Sequence, residues 1–160
     1  MADGHSRYSH VMAYNTRHGT SLLFGGEDGG STWEWDGEEW TFLTGLGPTE
    51  RSHPTLVYDR ARDVVVLFRG YDDQGDGGTW EWNGSEWTLV STRGPSDRSS
   101  HAMVYDTARE VTVLFGGYTR RDGASRETWE WDGRRWTLMS TGGPWPRGNH
   151  AMAYDEDRHV

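Results

Sequence analysis

A four-residue sequence that recurs along the chain constrains the fold more than any other feature. The order Thr-Trp-Glu-Trp stands at Thr32–Trp35 and returns at Thr79–Trp82 and Thr128–Trp131, at spacings of 47 and 49 residues. Self-similarity at a fixed period of about 20 to 50 residues is the sequence signature of repeat architectures. Each period is therefore expected to form one structural unit that packs against its neighbours.

Other residues recur in step with this sequence. An apolar run that closes on glycine lies upstream of each copy, at residues 22–26, 66–70 and 113–117. A tyrosine followed by Asp or Asn precedes each run, and an arginine stands seven residues before each tyrosine. The chain thus contains three full repeats and the start of a fourth. The tyrosines of the four repeats are, in order, Tyr14, Tyr58, Tyr105 and Tyr154.

Each repeat predicts four short strands, A to D. In the third repeat they are expected at residues 101–105, 111–115, 128–131 and 135–139. An Asp-Gly or Asn-Gly pair follows each C strand and predicts a two-residue type I′ hairpin turn, because both residues tolerate a positive φ. These pairs are Asp36-Gly37, Asn83-Gly84 and Asp132-Gly133. The B–C loops at 27–31, 71–78 and 118–127 differ most, and variable loops on a fixed scaffold are common sites of binding specificity.

A four-stranded unit of just under 50 residues has the size of a kelch propeller blade. The pattern of a Tyr-Asp pair, a Phe-Gly-Gly end to strand B, an aromatic strand C and a Trp in strand D resembles the kelch repeats common in bacterial proteins. Arg69 departs from it, because it replaces the first glycine of the doublet. The resemblance implies an all-β propeller sector of three complete antiparallel blades, at about 7–48, 49–95 and 96–144, and a partial blade at 145–160.

The resemblance also implies a candidate site. Strand A is the innermost strand of kelch blades, and arginines and serines at its start contact acidic peptides in some kelch domains. A guanidinium pairs with a carboxylate through two parallel hydrogen bonds. The alternative is a salt bridge that every blade needs for its own structure. The candidate ligand-binding residues are Arg7, Arg51, Arg98, Arg147, Ser9, Ser52, Ser99 and Ser100.

Three further patterns favour structural roles over chemical ones. His10, His101 and His150 align, and converging imidazoles could bind a metal, but a His repeated once per blade more often bonds a neighbouring backbone. Residues 72–77 resemble the opening of a calcium loop without its final Glu. The paired tryptophans of each C strand share one face and favour packing between blades over a sugar-binding platform. We therefore predict no metal site and no cofactor.

Three functional classes remain open. Kelch copper oxidases need a Cys cross-linked to a Tyr, and this chain has no Cys. The Glu-x-x-x-Asp-x-x-x-His spacing of the iron-dependent specifier proteins is absent from the sequence. The first expectation is a binding module for a protein partner or an acidic or small polar ligand, without catalytic residues. The alternatives are an isomerase similar to the bacterial sialic-acid mutarotases and a purely structural propeller.

Composition narrows the partners. The chain has 16 basic and 25 acidic residues and a net charge of −9, which argues against a nucleic-acid partner. No apolar run approaches the roughly 18 residues of a membrane helix, and residues 1–17 lack the apolar centre of a signal peptide. The sequence therefore predicts a soluble chain without a membrane partner and leaves its localisation open.

The number of repeats predicts an open ring. Propellers contain about 4 to 8 blades, so three blades leave two sheet faces uncovered. Residues 147–160 repeat strand A and stop where strand B would start. Either the chain is a fragment of a longer protein, or it forms a homo-oligomer, in which two copies would supply six blades.

Overall fold

A computed structural model describes residues 9–26, 30–49, 53–68 and 78–160 and confirms the all-β prediction. The first sheet contains β1 (Val11–Asn15), β2 (Thr20–Phe24), β3 (Thr32–Trp35) and β4 (Trp40–Thr44). The second contains β5 (Thr55–Asp59), β6 (Val64–Phe68), β7 (Thr79–Trp82) and β8 (Trp87–Ser91). The third repeat supplies β9 (Arg98–Ser99), β10 (Ala102–Asp106), β11 (Val111–Phe115), β12 (Tyr118–Thr119), β13 (Gly123–Ala124), β14 (Thr128–Trp131) and β15 (Trp136–Ser140).

Each repeat is an antiparallel meander. The sheet orders are β1-β2-β3-β4, β5-β6-β7-β8 and β10-β11-β14-β15, and a small sheet, β13-β12-β9, joins the start of the third repeat to its B–C loop. The same bulge interrupts the C–D pairing in every repeat, beside Thr32, Thr79 and Thr128. In such a meander the A–B and C–D turns lie at one edge of the blade, and the B–C and D–A connections lie at the other.

The C–D connection differs from the prediction. The last strand pair is Trp35 with Trp40, so the loop has four residues, and only its glycine, Gly37, has a left-handed φ, of 106°. The Asp36 carboxylate accepts hydrogen bonds from the backbone N–H groups of Glu38 and Glu39 at 2.8 and 2.9 Å. The Asp36 side chain thus closes the loop as an Asx turn.

The hydrophobic core lies between the sheets. Contacts between sheets concentrate on the A strands, where β1 lies beside β5 and β5 beside β10, so these strands are innermost. Strand β6 serves two neighbours, because side chains alternate along a strand: Val65 and Leu67 pack toward the first sheet, and Val66 and Phe68 toward the third. Packing between blades, predicted for the tryptophans, is therefore observed at Trp82 and Trp131, which are buried in these two clusters.

The D-strand tryptophans connect successive blades by hydrogen bonds. The indole N–H of Trp87 donates to Thr32 Oγ1 at 2.8 Å, and that of Trp136 donates to Thr79 Oγ1 at 2.7 Å. Phe24 packs edge-on against Trp87 with ring centroids 5.3 Å apart. The threonine that opens the recurring four-residue sequence is thus the acceptor for the next blade.

The start of the fourth repeat keeps the local geometry of the others. Ser9, His53, Ser100 and Asn149 all adopt a left-handed φ of 55–60° just before strand A, so Pro54 occupies the position that a histidine holds in the other three repeats. Residues 151–154, where the first strand of a fourth blade was expected, do not pair into a sheet. Within the described ranges, no helix has the length and apolar character needed to cross a membrane.

Candidate functional site

Arg98 is the predicted ligand-binding arginine that the structure describes most fully. Its side chain is completely buried, and Nε donates to the Ser96 carbonyl at 3.0 Å. One terminal nitrogen donates to the Gly116 carbonyl at 3.0 Å and the other to Glu127 Oε2 at 2.6 Å. Further contacts reach the Ser125 and Ser96 hydroxyls at 3.5 and 3.2 Å. Arg98 therefore joins the start of strand A to the B–C loop of its own blade.

Glu127 completes this internal pair. Burial works against ionisation of its carboxyl group, but the Arg98 guanidinium and the indole N–H of Trp129 hold the Glu127 pKa below its usual range. The equivalent positions in the other repeats are Ser31 and Gly78, so the carboxylate is particular to the third repeat. For Arg98, these contacts favour the structural alternative of the sequence analysis.

The other predicted residues do not form one cluster in the described structure. Arg147 is exposed, and its Nε donates to the Trp145 carbonyl at 2.9 Å. Ser9, Ser99 and Ser100 are half-buried, and the Ser100 carbonyl accepts a bond from Asn149 N–H at 2.9 Å. Arg7, Arg51 and Ser52 lie outside the described residues. A shared arginine rim that contacts a ligand stays a prediction.

The aligned histidines pack against phenylalanines of the preceding blade. His101 meets Phe68 edge-on, His150 meets Phe115 in the same way, and the Thr55 hydroxyl contacts His101 Nε2. Burial, with the Arg98 charge nearby, lowers the pKa of His101 to about 3, so this imidazole is neutral at ordinary pH. In the part of the chain that the structure describes, no group of three or more His, Asp or Glu residues could hold a metal ion.

A cleft of about 270 Å³ lies along the innermost strands and draws residues from all four repeats. Its rim carries the residue after the Asp or Asn of each A–B turn, and its wall carries the four tyrosines that precede them. The rim residues are Thr16, Arg60, Thr107 and Glu156. The cleft therefore opens at the A–B edge of the sector, opposite the edge where Arg98 lies.

The polar groups of this cleft differ in how firmly they are held. Tyr58 donates to Asp63 Oδ1 at 2.8 Å, and burial together with that carboxylate raises the pKa of Tyr58 to about 12. The Tyr154 hydroxyl accepts the Ala108 N–H at 3.3 Å. Arg60 lies 3.6 Å from Glu156, and their side chains are 53% and 64% exposed. An exposed ion pair of this kind contributes little, about 0 to 1 kcal/mol, so a ligand can displace it.

A repeated ion-pair cluster, an arginine between two carboxylates, was not predicted from the sequence. The arginine three residues after the repeated Asp bridges two carboxylates: Arg62 Nε lies 2.7 Å from Asp59 and a terminal nitrogen lies 2.7 Å from Glu81. The third repeat reproduces it, with Arg109 at 2.7 Å from Asp106 and 2.5 Å from Glu130. The sequence feature that could have indicated this cluster is that the second and third repeats have both this arginine and the Glu of strand C.

Comparison with known proteins supports the fold alone. No protein-family profile matches the chain, and no curated protein sequence does. Among solved structures, the one titled "Structure of YjhT" superposes with a TM-score of 0.71 at 14% identity over 89% of this chain. The chain covers 53% of that structure, about half its length. The chain is thus a β-propeller module, and its membership of the kelch family stays a prediction.

Proposed function

We propose that this propeller sector is a binding module and that its ligand site is the axial cleft. The observation that carries the proposal is that one cavity of about 270 Å³ is lined by residues of every repeat. Concave sites with a mostly apolar wall and a few convergent polar groups are the usual form of ligand pockets, although this cleft lies just below their typical size of about 300 Å³. It suits a small polar ligand or a side chain of a partner protein.

The charge at the rim favours an acidic ligand. Arg60 is the cationic side chain among the described residues that line the cleft, and its exposed pair with Glu156 is easily exchanged for a ligand carboxylate. The molecule as a whole carries −9, so it repels anions at long range. Recognition of an acidic group therefore has to depend on short-range contact with Arg60 and the surrounding hydroxyl groups.

The test begins with arrays of acidic peptides and acidic saccharides, from which a binding probe is taken into calorimetry. Arg60→Glu is expected to weaken binding of that probe at least tenfold, because it replaces the attracting charge with a repelling one. Arg134→Glu is the matched control, since it makes the same charge change on an exposed C–D loop. Equal losses in the two variants, or no bound probe on either array, would contradict the proposal.

The isomerase alternative predicts chemistry in addition to binding. The anomerisation of a bound acidic saccharide would then proceed faster with protein than without it, and NMR measures both rates directly. An unchanged rate leaves the binding module, whereas acceleration that Arg60→Glu abolishes assigns the cleft to an isomerase. A purely structural propeller predicts no binding and no acceleration.

A further inference from the structure

The second and third repeats each hold an arginine at the A–B turn between two carboxylates, and in the second repeat this arginine also contacts the next blade. Arg62 bridges Asp59 and Glu81, and it packs on the C–D loop of the third blade. A Cβ built on Gly133 in that loop would lie 2.7 Å from Arg62 Nε, so the glycine leaves the room that the guanidinium occupies. The indole N–H of Trp131 also donates to Glu81 Oε1 at 3.1 Å.

The first repeat lacks the arginine. Asn15 replaces the Asp and His18 replaces the Arg, while the strand C glutamate remains as Glu34. Asn15 still shapes the turn, because its Oδ1 accepts the backbone N–H groups of Arg17 and His18 at 3.0 and 3.1 Å. His18 is too short to bridge to Glu34 and instead lies 3.4 Å from Asp63.

A cavity of about 410 Å³ stands where the arginine would be. It lies between the first and second blades and is lined by the counterparts of the residues around Arg62, among them Asn15, His18, Glu34, Trp82 and Gly84. Gly84 is the counterpart of Gly133, and a Cβ built on it meets nothing within 4 Å. The space beside Gly133 is therefore occupied by the Arg62 guanidinium, whereas the equivalent space beside Gly84 is open.

The groups facing this cavity lack the partners that their counterparts have. Glu34 accepts a bond from the Thr20 hydroxyl at 2.9 Å, but no described cation pairs with it as Arg62 pairs with Glu81. Trp82 is buried, with 5% of its surface exposed, and no bond from its indole N–H to Glu34 matches that of Trp131 to Glu81. Asp63 also lines the cavity but is already paired, with Tyr58 at 2.8 Å, Arg17 at 3.5 Å and His18 at 3.4 Å, so Glu34 is the carboxylate open to an incoming cation.

From this we infer that the cavity between the first and second blades is a binding site for a guanidinium group supplied from outside the chain. The group would pair with Glu34 and lie against the Asn83-Gly84 loop, as Arg62 pairs with Glu81 and lies against Gly133. This site is separate from the axial cleft, which opens on the innermost strands and favours an anion. The inference therefore stands whether or not the proposed function holds.

The geometry favours a guanidinium over other cations. A guanidinium presents a flat fork of donors that fits a carboxylate, whereas an ammonium is a compact, strongly hydrated charge. The described residues provide no cluster with enough carboxylate and imidazole groups for a metal ion. The cavity volume falls within the range of about 300–1,000 Å³ that small ligands occupy.

The experiment measures binding of N-acetylarginine methylamide to the whole chain by calorimetry, with the lysine counterpart as a competitor of equal charge. We expect Glu34→Gln to weaken arginine binding at least tenfold, and Glu38→Gln, on the exposed loop of the same blade, to leave it within twofold. The double variant Asn15→Asp, His18→Arg fills the cavity from within and should abolish binding while raising the unfolding midpoint.

This double variant protects the test against misfolding, because it restores an arrangement that the chain already uses in its second and third blades. The inference is overturned if the wild-type chain does not bind the arginine probe, if the lysine probe binds as tightly, or if the double variant binds like the wild type. Methylguanidine and an arginine-centred tripeptide identify the source. Equal affinity points to a small free guanidinium compound, and tenfold tighter tripeptide binding points to a protein partner.

Discussion

Two arginines of one blade serve different purposes although both pair with carboxylates. Arg98 is completely buried and bonds within its own blade, whereas Arg109 is 53% exposed and pairs with Asp106 and Glu130. An exposed pair is worth about 0 to 1 kcal/mol, but loss of one member of a buried pair costs much more, because the other charge stays desolvated. At the residue scale, burial decides which arginine the fold depends on.

Replacement of Arg98 tests this assignment. Arg98→Ala should lower the free energy of unfolding by about 1 to 3 kcal/mol, because the Gly116 carbonyl loses a buried donor and Glu127, whose side chain is 34% exposed, loses its cation. Urea denaturation measures the change, and Arg126→Ala, an exposed arginine in the same loop, should alter it by less than about 0.5 kcal/mol. Equal changes in the two variants would show that Arg98 is free for a ligand after all.

The buried imidazole of His101 predicts a pH dependence. Its pKa is about 3 in the folded chain, whereas a solvated imidazole has a pKa of about 6.5, so below pH 6.5 the unfolded state binds a proton that the folded state does not. Stability should therefore fall as the pH drops from about 6.5 toward 3, by up to about 1.4 kcal/mol per pH unit from this group.

Unfolding midpoints of the wild type and His101→Gln, measured between pH 7 and pH 4, isolate that contribution. The variant should show the shallower slope, because it lacks the imidazole that takes up a proton on unfolding. Parallel curves for the wild type and His101→Gln would mean that His101 has the same pKa in the folded and unfolded chain.

At the scale of the strand, the bonds from one blade to the next depend on a threonine and a tryptophan. Thr79→Val should cost about 1 to 3 kcal/mol of stability, because it leaves the buried indole N–H of Trp136 without an acceptor. Thr137→Val, on an exposed site of strand β15, is the matched control. A double-mutant cycle with Trp136→Phe tests whether this hydrogen bond causes the loss of stability. In the Trp136→Phe background, which has no indole N–H, Thr79→Val should no longer lower the free energy of unfolding.

The strands were predictable because their order follows from local signals: alternating side chains, a turn residue after each strand and a fixed period. The expected strands A and D of the third repeat differ from the observed ones by one residue, Ala102–Asp106 and Trp136–Ser140. The prediction of a type I′ turn between strands C and D was wrong, because the Asp36 side chain closes this loop and a second residue with positive φ is not needed. An Asp-Gly pair is compatible with both a type I′ turn and an Asx turn, and the local sequence does not distinguish between them.

The candidate sites were less predictable, because they depend on differences between repeats. The partner of Arg98 is Glu127, which lies in the variable loop and has no carboxylate counterpart in the other repeats. The cavity in the first blade depends on the exchange of an arginine for His18, and its size depends on the neighbouring blade. Residues that all repeats share indicate the fold, whereas Glu127 and His18 differ from their counterparts and therefore do not belong to the repeat pattern.

At the scale of the whole molecule, three sheets stand side by side, and the outer face of the first sheet carries exposed aromatic rings. Trp40 and Phe42 are 43% and 53% exposed there, whereas Trp87 and Trp136, the counterparts of Trp40 in the later blades, are buried against a neighbouring sheet. Apolar patches of this kind mark surfaces that other molecules cover. A homo-oligomer that completes the ring stays a prediction, which the particle mass in solution tests.

The proposed function requires that the repeats converge to form a single ligand site at the axis. NMR chemical-shift mapping, with the acidic probe taken from the arrays, tests it most directly. We expect shifts in the backbone amides of Ala13, Val57 and Thr107, which belong to three different repeats and line the same cleft. Shifts confined to the B–C loop at residues 118–127, at the opposite edge of the sector, would contradict it.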